Sequence, residues 1–441
     1  MSCESSFEAV PMKSPACNIS QHNVSRRRIL GTTAGAASGL GLGALGGLVQ
    51  PAIGEELKKQ EKQVLLLWLD GGMSQLESWD PKPNTQFGGP YRSIPTSLPG
   101  VHISELMPRT AAMMHHLAVV RSMETVDNSH SSGVPRMLRG DPTNRGVVYP
   151  FWGSAVAKLM GATASGLPPY VWVKPGNGGF ISKYAGFLGA KYGALALGDG
   201  KPPTNLVRPD DLAERDAKER RKLQQLFNQR YAVGRRKQWN EANSYVYDVA
   251  DTLMKHTRLF DESLLPGKDR ERYGRHDFGR HTLLARNLLE SGVRFVQVTS
   301  YGWDTHGDNF NAHSSRVPKV DQTFAALLQD LIDRSMMDNV LVVMMAEFGR
   351  TPRINGSVGR DHWPNAWSMA MTGSGIRTGQ VLGETSPDGT EVTSHPLDIG
   401  HMFHTWYTAL GLESQHAEFV NDGQPLPIAN DEMAPVKELL S

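Results

Sequence analysis

Five short runs of mostly apolar residues punctuate the chain: "QVLLLWL" (63–69), "LAVVRSM" (117–123), "YVWVKP" (170–175), "RFVQVTS" (294–300) and "NVLVVMMA" (339–346). Each is too short for a buried helix and is rich in β-branched or aromatic residues. Each therefore reads as a strand covered on both faces of a parallel sheet. Helical periodicity lies between them. "ISELMPRTAAMMHHL" precedes the second run, "GRHTLLARNLLESG" the fourth and "VDQTFAALLQDLIDRSMM" the fifth. Strand and helix in alternation predict an α/β fold, with a doubly wound, mostly parallel central sheet and helices on both faces. "HPLDIGHMFHTWYTALG" reads as one more amphipathic helix. Residues 210–230, charged on most faces, and "EANSYVYDVADTLMKHTRLF" after them predict a helical insertion over about 208–262. Pro and Gly cluster at 81–100, 161–203 and 373–390, which read as long surface loops. No internal repeat is visible.

Composition narrows the function. The 46 Lys+Arg against 45 Asp+Glu leave a net charge of +1, so there is no electrostatic footprint for nucleic acid. "SRRRIL" (25–30) followed by "GTTAGAASGLGLGALGGLV" joins arginines to a mild apolar run, the pattern of a twin-arginine export signal. Gly makes that run a poor membrane helix, and no later segment is long and apolar enough to span a bilayer. Residues 1–60 thus read as signal and linker, 61–441 as the mature domain, and the periplasm or the outside as its destination. Cys3 and Cys17 precede the arginines. A mature chain without them has no disulfide, thiolate ligand or cysteine nucleophile.

Chemistry gathers at the ends of the predicted strands. "VLLLWL" runs into Asp70, "RFVQVTSYGW" into Asp304 and His306, and "NVLVVMMA" into Glu347. In open α/β sheets, ligands bind beyond the carboxyl ends of the strands. Asp361 and His362 add a carboxylate and an imidazole from the loop "GRDHWPNAW". Asp70, Asp304, His306, Glu347, Asp361 and His362 would suffice for one or two divalent cations: Zn²⁺, Mn²⁺, Mg²⁺ or Ca²⁺. In an extended "DTH", Asp304 and His306 project to the same side. A metal-free Asp–His cluster is the alternative reading of that spacing. "NSHSSGVPRMLRG" places Ser129 and Ser131 at a predicted helix start. Such serines either cap the helix or, beside a metal, act as nucleophiles. Arg136, Arg350 and Arg353 are candidates to hold an anionic group.

"LDGGMSQLESWDPKP", "GWDTHGDNF", "AEFGRTPRIN", "GRDHWPNAWSMAMTGSGIRTGQVLGET" and "DGQPLPIANDEMAPVKELL" resemble the domain of unknown function 1501 family. Its motifs run from about residue 63 to the end. The resemblance implies an alkaline phosphatase/sulfatase-like fold with metal ligands at strand ends. Under it, Asp70 matches the first-strand metal Asp, Glu347 the acid after a late strand, Asp304 and His306 the middle ligands, and His362 the later His. His130, between Ser129 and Ser131, falls at the sulfatase nucleophile. No Cys stands there for conversion to formylglycine, so His130 is expected to bind metal or act as acid/base.

The expectation is an exported, metal-dependent hydrolase of sulfate or phosphate esters. Its substrate is a small-molecule or glycan ester, with His130 and Ser131 as catalytic candidates. The alternative is a non-catalytic metal- or glycan-binding envelope protein, with a partner protein, that kept the fold without the nucleophile.

Overall fold

The run "QVLLLWL" forms β1 (Gln63–Leu69), and every residue in it is buried. Eight further strands join its sheet: β2 (Ala118–Met123), β3 (Tyr170–Lys174), β4 (Gly179–Ile181), β5 (Ala194–Gly198), β6 (Phe295–Ser300), β7 (Val340–Met345), β8 (Trp367–Thr372) and β9 (Gln380–Leu382). The spatial order is β9-β2-β8-β7-β1-β6-β3-β5-β4, with β1 in the middle. It pairs in parallel with β6 on one side and β7 on the other. Only β8 and the edge strand β4 run against their neighbours. The sheet is therefore mixed but mostly parallel, as predicted. The computed structural model describes residues 61–140, 145–162, 164–203, 206, 210, 212–233 and 237–441. The predicted export signal, with Cys3 and Cys17, lies outside the described residues, as do 208, 209, 211 and 234–236 of the predicted insertion.

Alternation along β1 supplies two cores, because successive strand side chains point to opposite faces. Leu65, Leu67 and Leu69 pack on one face with Leu284 and Leu288 of Asp277–Glu290 and Phe324, Leu327 and Leu331 of Asn309–Asp333. Val64, Leu66 and Trp68 pack on the other with Trp152 and Val156 of Trp152–Met160 and Phe403 and Trp406 of Ile399–Ala409. Covering on both faces is why β1 carries no polar alternation.

The differences from the sequence reading have local causes. The helix expected before β2 shrinks to Pro108–Ala112 and a 3₁₀ turn, Met114–His116. The helix expected before β7 starts earlier, at Asn309, and runs on through Pro318. Strand β5 is the Ala-rich "ALALG" inside a stretch read as loop, and β8 is "WSMAMT". Among the described residues, no helix is long and apolar enough to cross a membrane.

A buried polar web ties the loops at the carboxyl ends of β1, β6 and β7. Glu77 and Arg360, both fully buried, pair at 2.8 Å. Arg360 also donates to the carbonyls of Phe87, Thr351 and Pro352. Asn309 donates to Glu77 at 3.1 Å, and Thr305 donates to Asn309 at 2.7 Å. Gln75 exchanges two hydrogen bonds of 2.9 Å with the backbone of Arg350. Burial opposes ionisation of Glu77, but the charges of Arg360 and His313 together with hydrogen bonds from Ser74 and Arg360 outweigh it and hold the carboxyl below its ordinary value. Removing one partner strands a buried charge, so Glu77→Ala should cost about 3–5 kcal/mol in chemical denaturation. A loss under about 1 kcal/mol would show that the pair does not hold these loops.

Candidate metal centre

Asp70 leaves β1 with its N–H donating to the Ser300 carbonyl at 2.9 Å, which sets the ends of β1 and β6 side by side. The chain then turns through Gly71 at φ +110°. A Cβ on Gly71 would lie 2.5 Å from the Asp304 nitrogen, so only glycine lets the segment after β6 approach β1 this closely. Gly71 N–H donates to Glu347 Oε1 at 2.9 Å, bringing in the end of β7. Arg360 N–H donates to the Thr305 carbonyl at 3.0 Å, fixing the loop that carries Asp361 and His362.

Three imidazoles converge on one carboxylate. His130 Nε2 lies 3.2 Å from Asp304 Oδ2, while His306 Nε2 and His362 Nε2 each lie 3.0 Å from Asp304 Oδ1. The other nitrogen of every ring faces an oxygen. His130 Nδ1 meets Glu347 Oε1 at 2.7 Å, His306 Nδ1 meets Asp361 Oδ1 at 2.6 Å, and His362 Nδ1 meets the Asn128 carbonyl at 2.6 Å. Each Nδ1 is therefore placed to donate, so a neutral ring turns its Nε2 lone pair inward, and a ring that takes up a second proton donates through Nε2 to Asp304. Second-shell oxygens orient metal-bound histidines in this way. His306 Nε2 and His362 Nε2 are only 3.0 Å apart. Two lone pairs and a carboxylate at that range repel unless positive charge sits among them. The atoms of His130, Asp304 and His362 lie close enough together to share one ion. The donor set fits a divalent cation that accepts imidazole and carboxylate.

The six predicted ligands separate into three positions. Asp304, His306 and His362 converge, and His130 joins them. Glu347 and Asp361 stand behind the histidines instead, each accepting an Nδ1–H. Asp70 stands beside the cluster and accepts the Trp68 indole N–H at 2.8 Å. Glu347 is 1% exposed, and its Oε2 is buried without a hydrogen-bond partner among the described residues. Burial, helped by the charge of Asp70, pushes its carboxyl above the ordinary range. Burial also raises Asp70. At Asp304 burial works the same way, but hydrogen bonds from Arg350 and His362 prevail and hold it well below the usual carboxylate range.

The arginines do different work from one another. Arg350 is fully buried and directs its guanidinium to the Gly71, Gly72 and Arg360 carbonyls and to Asp304 Oδ1 at 2.5 Å. That occupies the group expected to hold an anion. Arg353 is exposed on the following loop. Arg136 pairs with Asp398 at 2.5 Å and Asp127 at 3.6 Å. Ser131 Oγ is exposed and bonds Ser129 Oγ at 2.8 Å. The sequence reading missed Asn128, Gln75, Glu77 and Arg360. A buried Arg or Glu with no apolar periodicity of its own leaves no pattern to read. Phe348 packs beneath the site, its ring stacked on His362 at 4.3 Å.

Residues 61–440 match the family described as protein of unknown function (DUF1501). The chain belongs to the DUF1501 family. This DUF1501 protein is similar in structure to the C-terminal periplasmic domain of EcEptC from Escherichia coli in complex with Zn. That likeness has 10% identity, 86% of this chain and 92% of that chain covered, and a TM-score of 0.36. It is also similar to PsFucS1 sulfatase from Pseudoalteromonas sp., at 12% identity, 90% and 79% covered, and a TM-score of 0.34. A third is a TAB5 alkaline phosphatase mutant with Mg bound, at 12% identity, 80% and 98% covered, and a TM-score of 0.35. Likenesses this distant say nothing of the reaction. Comparison with curated proteins gives no match.

Two histidines of this DUF1501 protein should titrate apart once chelator has removed any metal. The Glu347 hydrogen bond raises His130 above its ordinary 6.5, whereas burial lowers His362. The His130 contribution to stability is then full below about pH 6.5 and fades as pH rises through its raised value. Imidazole NMR titration should find His130 protonated at higher pH than His362. The reverse order would contradict the geometry.

Proposed function

We propose that this chain is an exported, metal-dependent hydrolase of sulfate or phosphate esters. One observation carries the reading: three imidazole Nε2 atoms, each turned inward by an oxygen on its Nδ1, surround the Asp304 carboxylate. His130, Asp304, His306 and His362 would hold a divalent cation, and three imidazoles favour Zn²⁺ or Mn²⁺ over Ca²⁺ or Mg²⁺. Such a cation supplies Lewis-acid stabilisation of charge on an ester oxygen and eases deprotonation of an attacking group. Export rests on the arginines of "SRRRIL" and the apolar run after them.

The protein's own groups do the rest. Glu347 and Asp361 fix two ring tautomers and the Asn128 carbonyl fixes the third, so little reorganisation accompanies binding. In the metal-free protein the His130 ring lies between Glu347 and Asp304, and the Glu347 hydrogen bond favours its protonated form. Holding a cation there would require His130 to give up that proton, so affinity should rise with pH. Asp304 is 43% exposed, which leaves the cluster open to an ester group. Ser131 stands one residue after His130, in the first turn of the helix His130–Leu138, where backbone N–H groups point at an incoming oxyanion. Arg353 is the exposed cation on the neighbouring loop.

A second reading, metal binding without turnover, is favoured by the partner of Ser131. Its hydroxyl bonds Ser129, not an imidazole that could take its proton.

The test measures metal content and turnover of aryl sulfate, phosphate monoester and phosphate diester probes together. The wild type should bind metal stoichiometrically and turn over at least one probe. Asp304→Ala and His306→Ala should lose both. Asp361→Asn should keep the site but weaken metal affinity about 10–100-fold. Stoichiometric metal without turnover on any probe would favour the second reading. A wild type that cannot be loaded would sink both.

A further inference from the structure

The helix Glu214–Ala232 buries none of its 19 residues. Most helices in proteins owe their stability to a packed apolar face. The helix Lys237–Lys255 covers one side. Arg221 pairs with Asp248 and, at 3.3 Å, with Asp251, and Asn228 donates to Ser244 at 3.3 Å. At roughly 100° per residue, the opposite side carries Asp216, Glu219, Leu223, Leu226, Phe227 and Arg230. All six are exposed: Leu223 by 53%, Leu226 by 43% and Phe227 by 64%. Charged solvent faces are ordinary, but three large apolar side chains at i, i+3 and i+4, exposed among the described residues, are not.

The order of charge along this stripe chooses the partner. Acid stands at its N-terminal end, apolar residues in the middle and Arg230 at its C-terminal end. Arg230 makes no ion pair among the described residues. We propose that this face is a two-fold, antiparallel interface with a second copy of the same chain. A dyad midway between Leu223 and Leu226 sets those two positions opposite each other. It also sets Glu219 opposite Arg230 of the other copy, twice over. An isologous contact requires such self-complementarity. A parallel pairing would set acid on acid, and an anionic bilayer would meet Asp216 and Glu219. Apolar and aromatic side chains with an arginine beside them are the usual anchors of a protein interface. In cis, among the described residues, Glu219 pairs only with the exposed Lys222, a pair worth little.

Sedimentation velocity on the full domain tests this. The wild type should show a concentration-dependent dimer. Phe227→Glu should raise its dissociation constant more than about tenfold. Glu219→Arg and Arg230→Glu should each weaken it, and the double variant should recover it, because both swapped pairs re-form across the dyad. All these positions are exposed, and circular dichroism verifies that each variant stays folded. A wild type monomeric at every concentration, a dimer indifferent to Phe227→Glu, or a double variant no tighter than the singles would overturn the proposal. So would vesicle binding by a monomer that Phe227→Glu abolishes, since a bilayer would then be the occupant.

Discussion

The Arg350 guanidinium is the fixed point of this structure. It has no solvent exposure, and it joins the Gly71 and Gly72 carbonyls after β1, the Asp304 carboxylate after β6 and the Arg360 carbonyl on the loop that carries His362. Three chain segments far apart in sequence meet on one cation. A buried charge survives only when its donors are satisfied, so the segments cannot drift without large cost. Arg360, paired with Glu77, repeats the device one layer back. The two arginines turn a set of strand-end loops into a rigid rim.

The rim explains the charge state of the centre. Asp304 accepts from Arg350, His306 and His362, so it stays ionised although partly buried. Glu347 lacks such help on one oxygen and is pushed the other way by burial and by Asp70. Neighbouring carboxylates are thus displaced in opposite directions from their ordinary values, an arrangement that marks functional sites more often than structural ones.

The fold was legible in the sequence where both faces of the sheet are covered. Continuous runs such as "QVLLLWL" and "NVLVVMMA" announce buried parallel strands. It was not legible where small residues or Pro and Gly dominate, as in "ALALG", or where Pro318 interrupts a helix that tertiary packing sustains. At the site, strand-end placement and the "DTH" spacing pointed to Asp304 and His306, and the adjacent Asp361 and His362 of "GRDHWPNAW" to His362. The same spacing could not separate a group at the centre from one behind it. Glu347 and Asp361 carry the same carboxylate as Asp304, and only the side on which a histidine ring meets them decides their place. His130 was reached through a resemblance, not through its surroundings in the sequence.

Metal-edge X-ray absorption of the loaded domain addresses the central claim most directly, because it counts the imidazoles around the ion without depending on any substrate. The geometry predicts imidazole scattering from three histidines, and loss of the bound ion, and with it the metal edge, when His306 is replaced by alanine. An oxygen-only shell, or a spectrum that His306→Ala leaves unchanged, would contradict the placement of the cation among His130, Asp304, His306 and His362.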